Sequence, residues 1–350
     1  MKKGFLLALS KSDQPTLSDP IIEEEGSKNT TDEKLKVTKA KPKPIVPKLK
    51  LKKGEKLLCE DYTNGSEDVP ISVVNGVDQE DIPKIAYHVS RYTEIPRLGL
   101  ELIKSQEICS SCTCTDGCLD PKKCKCQIKS EDRYYDLKQF NNMIHIKPTY
   151  YKEGKLEEKI FSGIYECNKN CKCREDCKNR VTQNRINIPL QIFKTKEIGW
   201  GVRTLIDIPK GSYIATYSGQ LMTDEQVLKF KLDNDGKYPD EYNVYLSDLV
   251  IAINSAQNAP VPRNNVFLLD ASKSGNIARF FNHSCEPNMF AQYVFMDTHD
   301  VRLPEVAFFA KRFILAGEEL CWDYGYEPGT IPDREMVCKC GASDCRGRLL

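Results

Sequence analysis

The chain has 350 residues, enough for one large or two modest domains with a real core. Its formal net charge of +1 points to no partner by global charge, and no run approaches the roughly 18 apolar residues of a membrane span. The apolar run Phe5–Leu9 is too short for a signal-peptide core, so the chain reads as intracellular, where 16 Cys at dense spacing indicate metal more than disulfides.

Residues 1–85 read as a disordered basic N-terminal tail, rich in Ser, Thr, Lys, Glu, Asp and Pro and poor in aromatics. From Lys34 to Lys53 there are nine Lys, no Asp or Glu, and Pro42, Pro44 and Pro47. Such a run is either a solvated linker or an address and DNA-contacting tail. The short apolar pieces Leu57-Leu58 and Val69–Val74 are candidates for an edge strand on whatever follows.

From Cys109 the composition shifts. Cys112, Cys114, Cys118, Cys124 and Cys126 form C-x-C-x3-C-x5-C-x-C, and Cys167, Cys171, Cys173 and Cys177 form C-x3-C-x-C-x3-C. The spacer between them, with Tyr134, Tyr135, Tyr150 and Tyr151, reads as a surface loop. Tetrahedral zinc needs four thiolates each, so two ions would use eight of the nine Cys and strand one. Three ions need twelve bonds, which nine Cys supply if three of them bridge. The net charge of −3 that results is offset by the interleaved Lys122, Lys123, Lys125, Lys172, Arg174 and Lys178. No His lies in either array, so the centre would be all-sulfur and structural. Disulfides or scattered thiols are the alternatives.

From Leu190 the texture is β-like, with short apolar runs at Leu190–Phe193, Gly201–Leu205, Ser212–Tyr217, Val266–Leu269, Met289–Val294 and Val306–Ala310, separated by turn residues. A helix is expected over Thr223–Leu232, with Thr223 as N-cap. Ala252–Asn265 reads as an inserted loop. The stretch Arg279–Asn288, RFFNHSCEPN, places three turn-preferring residues in a row ahead of a Pro, which marks either an irregular segment held in one shape or an ordinary polar loop after an apolar run. The terminal C-x-C-x4-C of Cys338, Cys340 and Cys345 supplies three ligands, and Cys285 is the best candidate for the fourth; Cys321 reads as an ordinary buried thiol.

These motifs resemble those of SET-domain protein lysine methyltransferases with a cysteine-rich pre-SET and a post-SET module. The resemblance spans about Ile108 to Leu350. It is carried by the nine-Cys array, Ile198–Val202, Arg279–Cys285, Glu319–Tyr324 and the final C-x-C-x4-C, and it is strongest for the eggless-type (bifurcated SET) branch. It implies a mainly β fold, the SET β-clip of small curved sheets with short helices, whose C-terminal segment passes beneath a loop. It implies a pre-SET zinc-cluster domain at 86–185, a SET catalytic domain at 186–326 and a post-SET zinc module at 327–350.

By the same resemblance the chain is an S-adenosylmethionine-dependent methyltransferase acting on lysine 9 of histone H3, with three zinc ions in the pre-SET and one in the post-SET module. Tyr324 is then the catalytic tyrosine, Tyr242 a second channel tyrosine, and Trp322 the residue that limits how many methyl groups fit. Gly199, Trp200, Asp240, Tyr242, Arg279, Asn282 and His283 match cofactor contacts. The expected setting is the nucleus and chromosome. The expected partners are the histone H3 tail, chromatin-associated proteins and DNA through the basic tail, with no membrane. Two other readings exist: a catalytically silent SET module serving as a chromatin scaffold, and a zinc-dependent DNA-binding protein. The second lacks the helix-plus-His pattern of classical fingers.

Overall fold

Long-range strand pairing organises this chain, much of it joining segments more than a hundred residues apart. The structure is a computed structural model that describes residues 46–48, 50–89, 91–104, 111–140, 151–174, 176–233, 242–246, 266–326 and 336–349. Its strands are β1 (Lys56–Cys59), β2 (Ser72–Asn75), β3 (Ala86–Tyr87), β4 (Ile164–Tyr165), β5 (Leu190–Lys194), β6 (Trp200–Thr204), β7 (Tyr213–Thr216), β8 (Gln220–Thr223), β9 (Asn243–Tyr245), β10 (Phe267–Asp270), β11 (Ser274–Gly275), β12 (Asn282–His283), β13 (Met289–Phe295), β14 (Glu305–Ala310) and β15 (Cys321–Trp322). The helices are α1 (Arg97–Lys104), α2 (Lys125–Phe140) and α3 (Asp224–Asp233).

The strands form small sheets in the orders β1-β2-β5-β6, β8-β10-β9, β4-β13-β14-β7, β11-β3 and β12-β15. All six apolar runs picked out from residue 190 onward coincide with strands. β14 is buried at every position because it lies between β13 and β7 with both faces covered, which is why its sequence, EVAFFA, does not alternate. The main core joins three sheets through Ile71, Ile192, Val202, Phe267, Phe281 and Phe308. α3 begins as expected: the Thr223 hydroxyl accepts from the Gln226 N–H at 3.2 Å and the Gln226 side chain accepts from the Thr223 N–H at 2.9 Å, a reciprocal capping box.

Two expectations are corrected. The tail was expected to be disordered to residue 85 apart from a candidate edge strand in its apolar pieces; those pieces form two strands, β1 at the sheet edge and β2, which pairs in parallel with β5. Val69, Ile71, Val73 and Val74 are fully buried there. The segment is polar on average, and its order comes from a partner strand far along the chain. The spacer between the Cys arrays was expected to be a loop, but Tyr134 and Tyr135 lie in α2. Tyr151 stacks on Phe309 at 6.1 Å and donates its hydroxyl to Glu166 at 2.8 Å. Residues 1–45, which include most of the basic run, together with Cys109, Asp240 and Ala252–Asn265, lie outside the described residues.

The Cys-rich module docks on the β domain through β4, which pairs in parallel with β13 at the sheet edge. Beside it the buried Glu166 carboxylate accepts from the Tyr151 hydroxyl, the Val181 and Thr182 N–H groups and the Gln183 amide, all at 2.8–2.9 Å. Burial pushes this carboxyl above its ordinary range, against the pull of those four donors. The position next to Cys167 makes this network the joint between the module and the sheet.

Candidate active site and metal centres

The irregular RFFNHSCEPN segment sits where two distant pieces of chain cross. β12, its Asn282–His283 core, pairs in parallel with β15. The Ser284 N–H continues the ladder to the Trp322 carbonyl at 3.0 Å. Asn288 pins the crossing with its side chain, which donates to the Glu319 carbonyl at 2.7 Å and accepts from the Cys321 N–H at 2.9 Å. A plain loop has no such reason to order its polar side chains. Here they replace the ladder bonds that short strands cannot make.

The crossing places an aromatic wall around Tyr324. Trp322 lies 5.0 Å from Tyr324 between ring centroids and 5.2 Å from Phe308, and Phe281 stands 5.1 Å from Phe308. The Tyr324 hydroxyl donates to the Phe281 carbonyl at 3.0 Å, which leaves its oxygen lone pairs free to accept. Burial holds this phenol far above its ordinary range, so it stays neutral. His283 meets the Tyr324 ring edge-on at 5.3 Å, and its Nδ1 accepts the Tyr324 N–H at 3.2 Å. Nδ1 is therefore the bare nitrogen and Nε2 carries the proton. Burial, aided by the Arg346 guanidinium and opposed by Asp323, lowers the His283 pKa, in keeping with a neutral ring.

Arg279 and Tyr242 meet beside this wall. The guanidinium carbon lies 3.8 Å from the Tyr242 ring centroid, and Nε donates to the Ala271 carbonyl at 2.8 Å. Arg279 is only 7% exposed, yet its Nη1 has no partner among the described residues. An orphaned cationic N–H in such a place fits an anionic ligand group, and an amino-acid carboxylate is one.

The β5–β6 hairpin forms the opposite side. Gly199 takes φ +79° at the turn, a left-handed conformation suited to Gly, and its α-carbon faces open space. The Trp200 carbonyl accepts from Asn282 Nδ2 at 3.1 Å, and the same amide donates to Glu319 Oε1 at 2.8 Å. The Trp200 ring points the other way: it lies 5.3 Å from Lys194 Nζ, and its Nε1 donates to Glu80 at 3.4 Å. Only the backbone of Trp200 thus faces Asn282. Of the expected cofactor residues, the structure gathers Gly199, Trp200, Tyr242, Arg279, Asn282 and His283 around one region, and Asp240 lies outside the described residues.

The C-terminal thiols close over the crossing. Cys285, Cys338, Cys340 and Cys345 have all four sulfurs within 4.8 Å of one another. In the N-terminal arrays three further tetrads form: Cys112, Cys118, Cys124 and Cys167; Cys112, Cys126, Cys167 and Cys171; and Cys118, Cys167, Cys173 and Cys177. Four thiolates about 2.3 Å from one zinc ion stand about 3.8 Å apart at tetrahedral angles. The observed separations are 3.7 Å for Cys112–Cys118, Cys112–Cys167 and Cys118–Cys167, 3.8 Å for Cys124–Cys167, 3.6 Å for Cys126–Cys171 and 3.9 Å for Cys285–Cys338. These exceed a disulfide bond, and every described Cys is free. The donor set therefore fits zinc. Cys114 lies at the edge of the cluster, beside Cys112, Cys118 and Cys124, and burial pushes its thiol up to about 12.

Several contributors were not legible as site residues. Phe281 stood in the RFFNHSCEPN motif and Phe308 in an apolar run, neither with a role, and both are core that also forms the wall. Glu319 stood inside a motif without a role. Tyr62, from the supposed tail, packs on Phe280 at 5.9 Å and backs the Arg279 region. Arg346 had no signal beyond its place next to Cys345.

Comparison with known proteins agrees with this geometry. The Pre-SET motif matches residues 63–180 and the SET domain matches residues 199–325. Histone-lysine N-methyltransferase met-2 of Caenorhabditis elegans is 30% identical over 386 residues, covering 84% of this chain and 29% of its own. Histone-lysine N-methyltransferase eggless of Drosophila melanogaster is 32% identical over 375 residues, covering 83% of this chain and 29% of its own. The chain thus spans under a third of these relatives. Among solved structures, Arabidopsis thaliana SUVH6 in complex with SAM superposes with a TM-score of 0.64 at 35% identity, over 84% of this chain and 56% of that one. KRYPTONITE in complex with mCHH DNA, H3(1-15) peptide and SAH gives 0.62 at 30% identity, over 87% and 56%.

Proposed function

Because the chain belongs to the SET-domain family, with a Pre-SET motif ahead of its SET domain, we propose that it is a protein-lysine N-methyltransferase acting on histone H3, with lysine 9 as its target and S-adenosylmethionine as methyl donor. The observation that carries this reading is the neutral, half-buried Tyr324 inside an aromatic wall, with Arg279 Nη1, unpartnered among the described residues, beside it.

When bound, the cofactor supplies an electrophilic methyl group on sulfur. Arg279 would hold its carboxylate, and Asn282, His283 and the Gly199–Trp200 backbone would line its seat. Phe281, Phe308, Trp322 and Tyr324 do the rest. They exclude water, so the substrate amine, ordinarily a cation with a pKa near 10.4, is destabilised in its charged form. They also hold the amine in line and attract the partly positive methyl through ring faces and the Tyr324 oxygen. No residue need form a bond to substrate. His283, neutral with both nitrogens engaged, acts as a lining residue and not as a base.

The nine N-terminal thiols would hold three zinc ions. Cys167 belongs to all three tetrads, one more than a bridging thiolate can serve, while Cys114 belongs to none. Giving Cys114 the place of Cys167 in the first tetrad makes Cys112, Cys118 and Cys167 the three bridges, and they form an equilateral triangle of 3.7 Å sides. The other six then each bind one ion. Cys285 with Cys338, Cys340 and Cys345 would hold a fourth, so that the C-terminal segment is tied to the cofactor seat. By this reading the protein works in the nucleus on chromosomal histones, with chromatin-associated partners, and the basic N-terminal run contacts DNA.

The test is transfer of label from S-adenosylmethionine to histone H3 peptides, wild type beside Tyr324→Phe. Wild type should label peptides that contain lysine 9, and Tyr324→Phe should lower the rate by at least about a hundredfold, as loss of one electrostatic contact to a transition state does. Failure of wild type to label any histone peptide would overturn the reading.

A further inference from the structure

The C-terminal cluster touches the aromatic wall through one residue outside its ligand set, Arg346. Its guanidinium Nη2 donates to Asp323 Oδ1 at 2.7 Å, and Nη1 donates to the Tyr326 carbonyl at 3.3 Å. It therefore grips the chain on both sides of Tyr324. Its own backbone N–H donates to the Cys285 sulfur at 3.4 Å, and its neighbour Cys345 is in the tetrad. The same guanidinium comes within 3.3 Å of His283 Nε2. Because that nitrogen carries the proton and faces the Cys285 sulfur at 3.4 Å, the approach of Arg346 is a contact between two donors.

These contacts form a closed circuit. It runs from the thiol tetrad to Arg346, on to Asp323 and Tyr324, through the Tyr324 N–H to His283, and back to Cys285. We propose that Arg346 is a positioning residue that couples assembly of the C-terminal metal cluster to the placement of Tyr324 and the cofactor seat. The fork of the guanidinium suits this task. It reaches a carboxylate and a carbonyl on opposite flanks of one residue, which a lysine ammonium does not do with fixed geometry. The backbone N–H that supports Cys285 belongs to any residue at 346, so removing the side chain leaves the cluster its ligands and its sulfur hydrogen bond. Metal binding and positioning are thereby separable.

The inference rests on the proposed cofactor and metal sites, and its test is arranged so that either can fail alone. Arg346→Ala, Arg346→Lys, Cys340→Ser and the double variant Cys340→Ser/Arg346→Ala are prepared in the full chain. Zinc content, calorimetric affinity for S-adenosylmethionine, and Trp322 emission in a Trp200→Phe background are measured; that background leaves Trp322 as the sole tryptophan, since the chain has two. Arg346→Ala should keep all its zinc, shift Trp322 emission and weaken cofactor affinity by about tenfold, the usual scale for a partly exposed charge-assisted hydrogen bond. Arg346→Lys should fall between. Cys340→Ser should lose one zinc and shift Trp322 similarly, and the double variant should be no worse than Cys340→Ser alone. Additive effects, or zinc loss in Arg346→Ala, would overturn the coupling, because Arg346 would then act apart from the cluster or merely hold it together. The emission readout needs no cofactor. A wild type that binds none while the emission cycle stays non-additive would refute the methyltransferase reading and leave the coupling standing.

Discussion

Replacing Gly201 by Ala should damage the cofactor seat without touching any ligand atom directly. A Cβ at Gly201 would stand 2.5 Å from Glu319 Oε1, 3.1 Å from Asn282 Nδ2 and 3.1 Å from Thr195 Cγ2. The end of a glutamate ordinarily swings away at little cost. This one cannot do so freely, because Oε1 accepts from Asn282 at 2.8 Å and the Glu319 backbone is fixed by Asn288 and by a bridge to Arg203. Moving the carboxylate breaks a hydrogen bond to a charged group in a partly buried place, a loss of about 1.5–3 kcal/mol. Burial already raises the Glu319 pKa, with the Asn282 amide opposing that rise, so the displaced carboxylate would rise further. Asn282 then keeps only the Trp200 carbonyl, and affinity for S-adenosylmethionine should fall about tenfold to a hundredfold, at 1.4 kcal/mol per decade. Denaturant unfolding and calorimetric titration measure the two losses. Glu319→Ala should weaken binding as well, and adding Gly201→Ala to it should cost little more, since the obstructing oxygen is gone. A Gly201→Ala protein with unchanged midpoint and unchanged affinity would show that Glu319 is not held against the hairpin.

Two other consequences concern the metal cluster and acid stability. Cys167→Ser should remove about two zinc ions per chain and Cys177→Ser about one, since the first thiol bridges two ions and the second binds one; equal losses by metal analysis would refute the bridged arrangement. His299, buried edge-on against Tyr165 at 4.9 Å, is lowered from the ordinary 6.5 to about 4, chiefly by desolvation. The folded state keeps it neutral while the unfolded state takes a proton below pH 6.5, so its contribution is complete above pH 6.5 and is lost as pH falls towards 4. His299→Gln should flatten unfolding stability across that window, and an unchanged slope would refute the assignment.

The local signals were legible wherever short-range chemistry sets the structure. Six of the strands from residue 190 onward, the α3 cap and the clustering of the Cys arrays follow from spacing and turn residues. Trp322, Tyr324, Asn282 and His283 were expected at the site from the resemblance, and the structure sets them at one crossing of the chain. Partnership across long sequence separation was not legible. The apolar pieces that form β1 and β2 were legible as strand candidates within a polar tail, but their partner was not: β2 pairs with β5, more than a hundred residues away. The Tyr-bearing spacer looked like loop, yet α2 runs through it and docks beside β4.

By itself the sequence determined the chemistry on offer: nine thiols at cluster spacing, three more at the end, and a run of aromatic and amide side chains. The tertiary structure decided what each one faces. It turned the Trp200 ring away from Asn282 and kept the carbonyl, set Glu319 under Gly201, and brought Arg346 onto both flanks of Tyr324. The physical reason is that a side chain's partners are fixed by which backbone segments cross. At β12 and β15 two segments about forty residues apart cross in parallel, a pairing that no local pattern encodes.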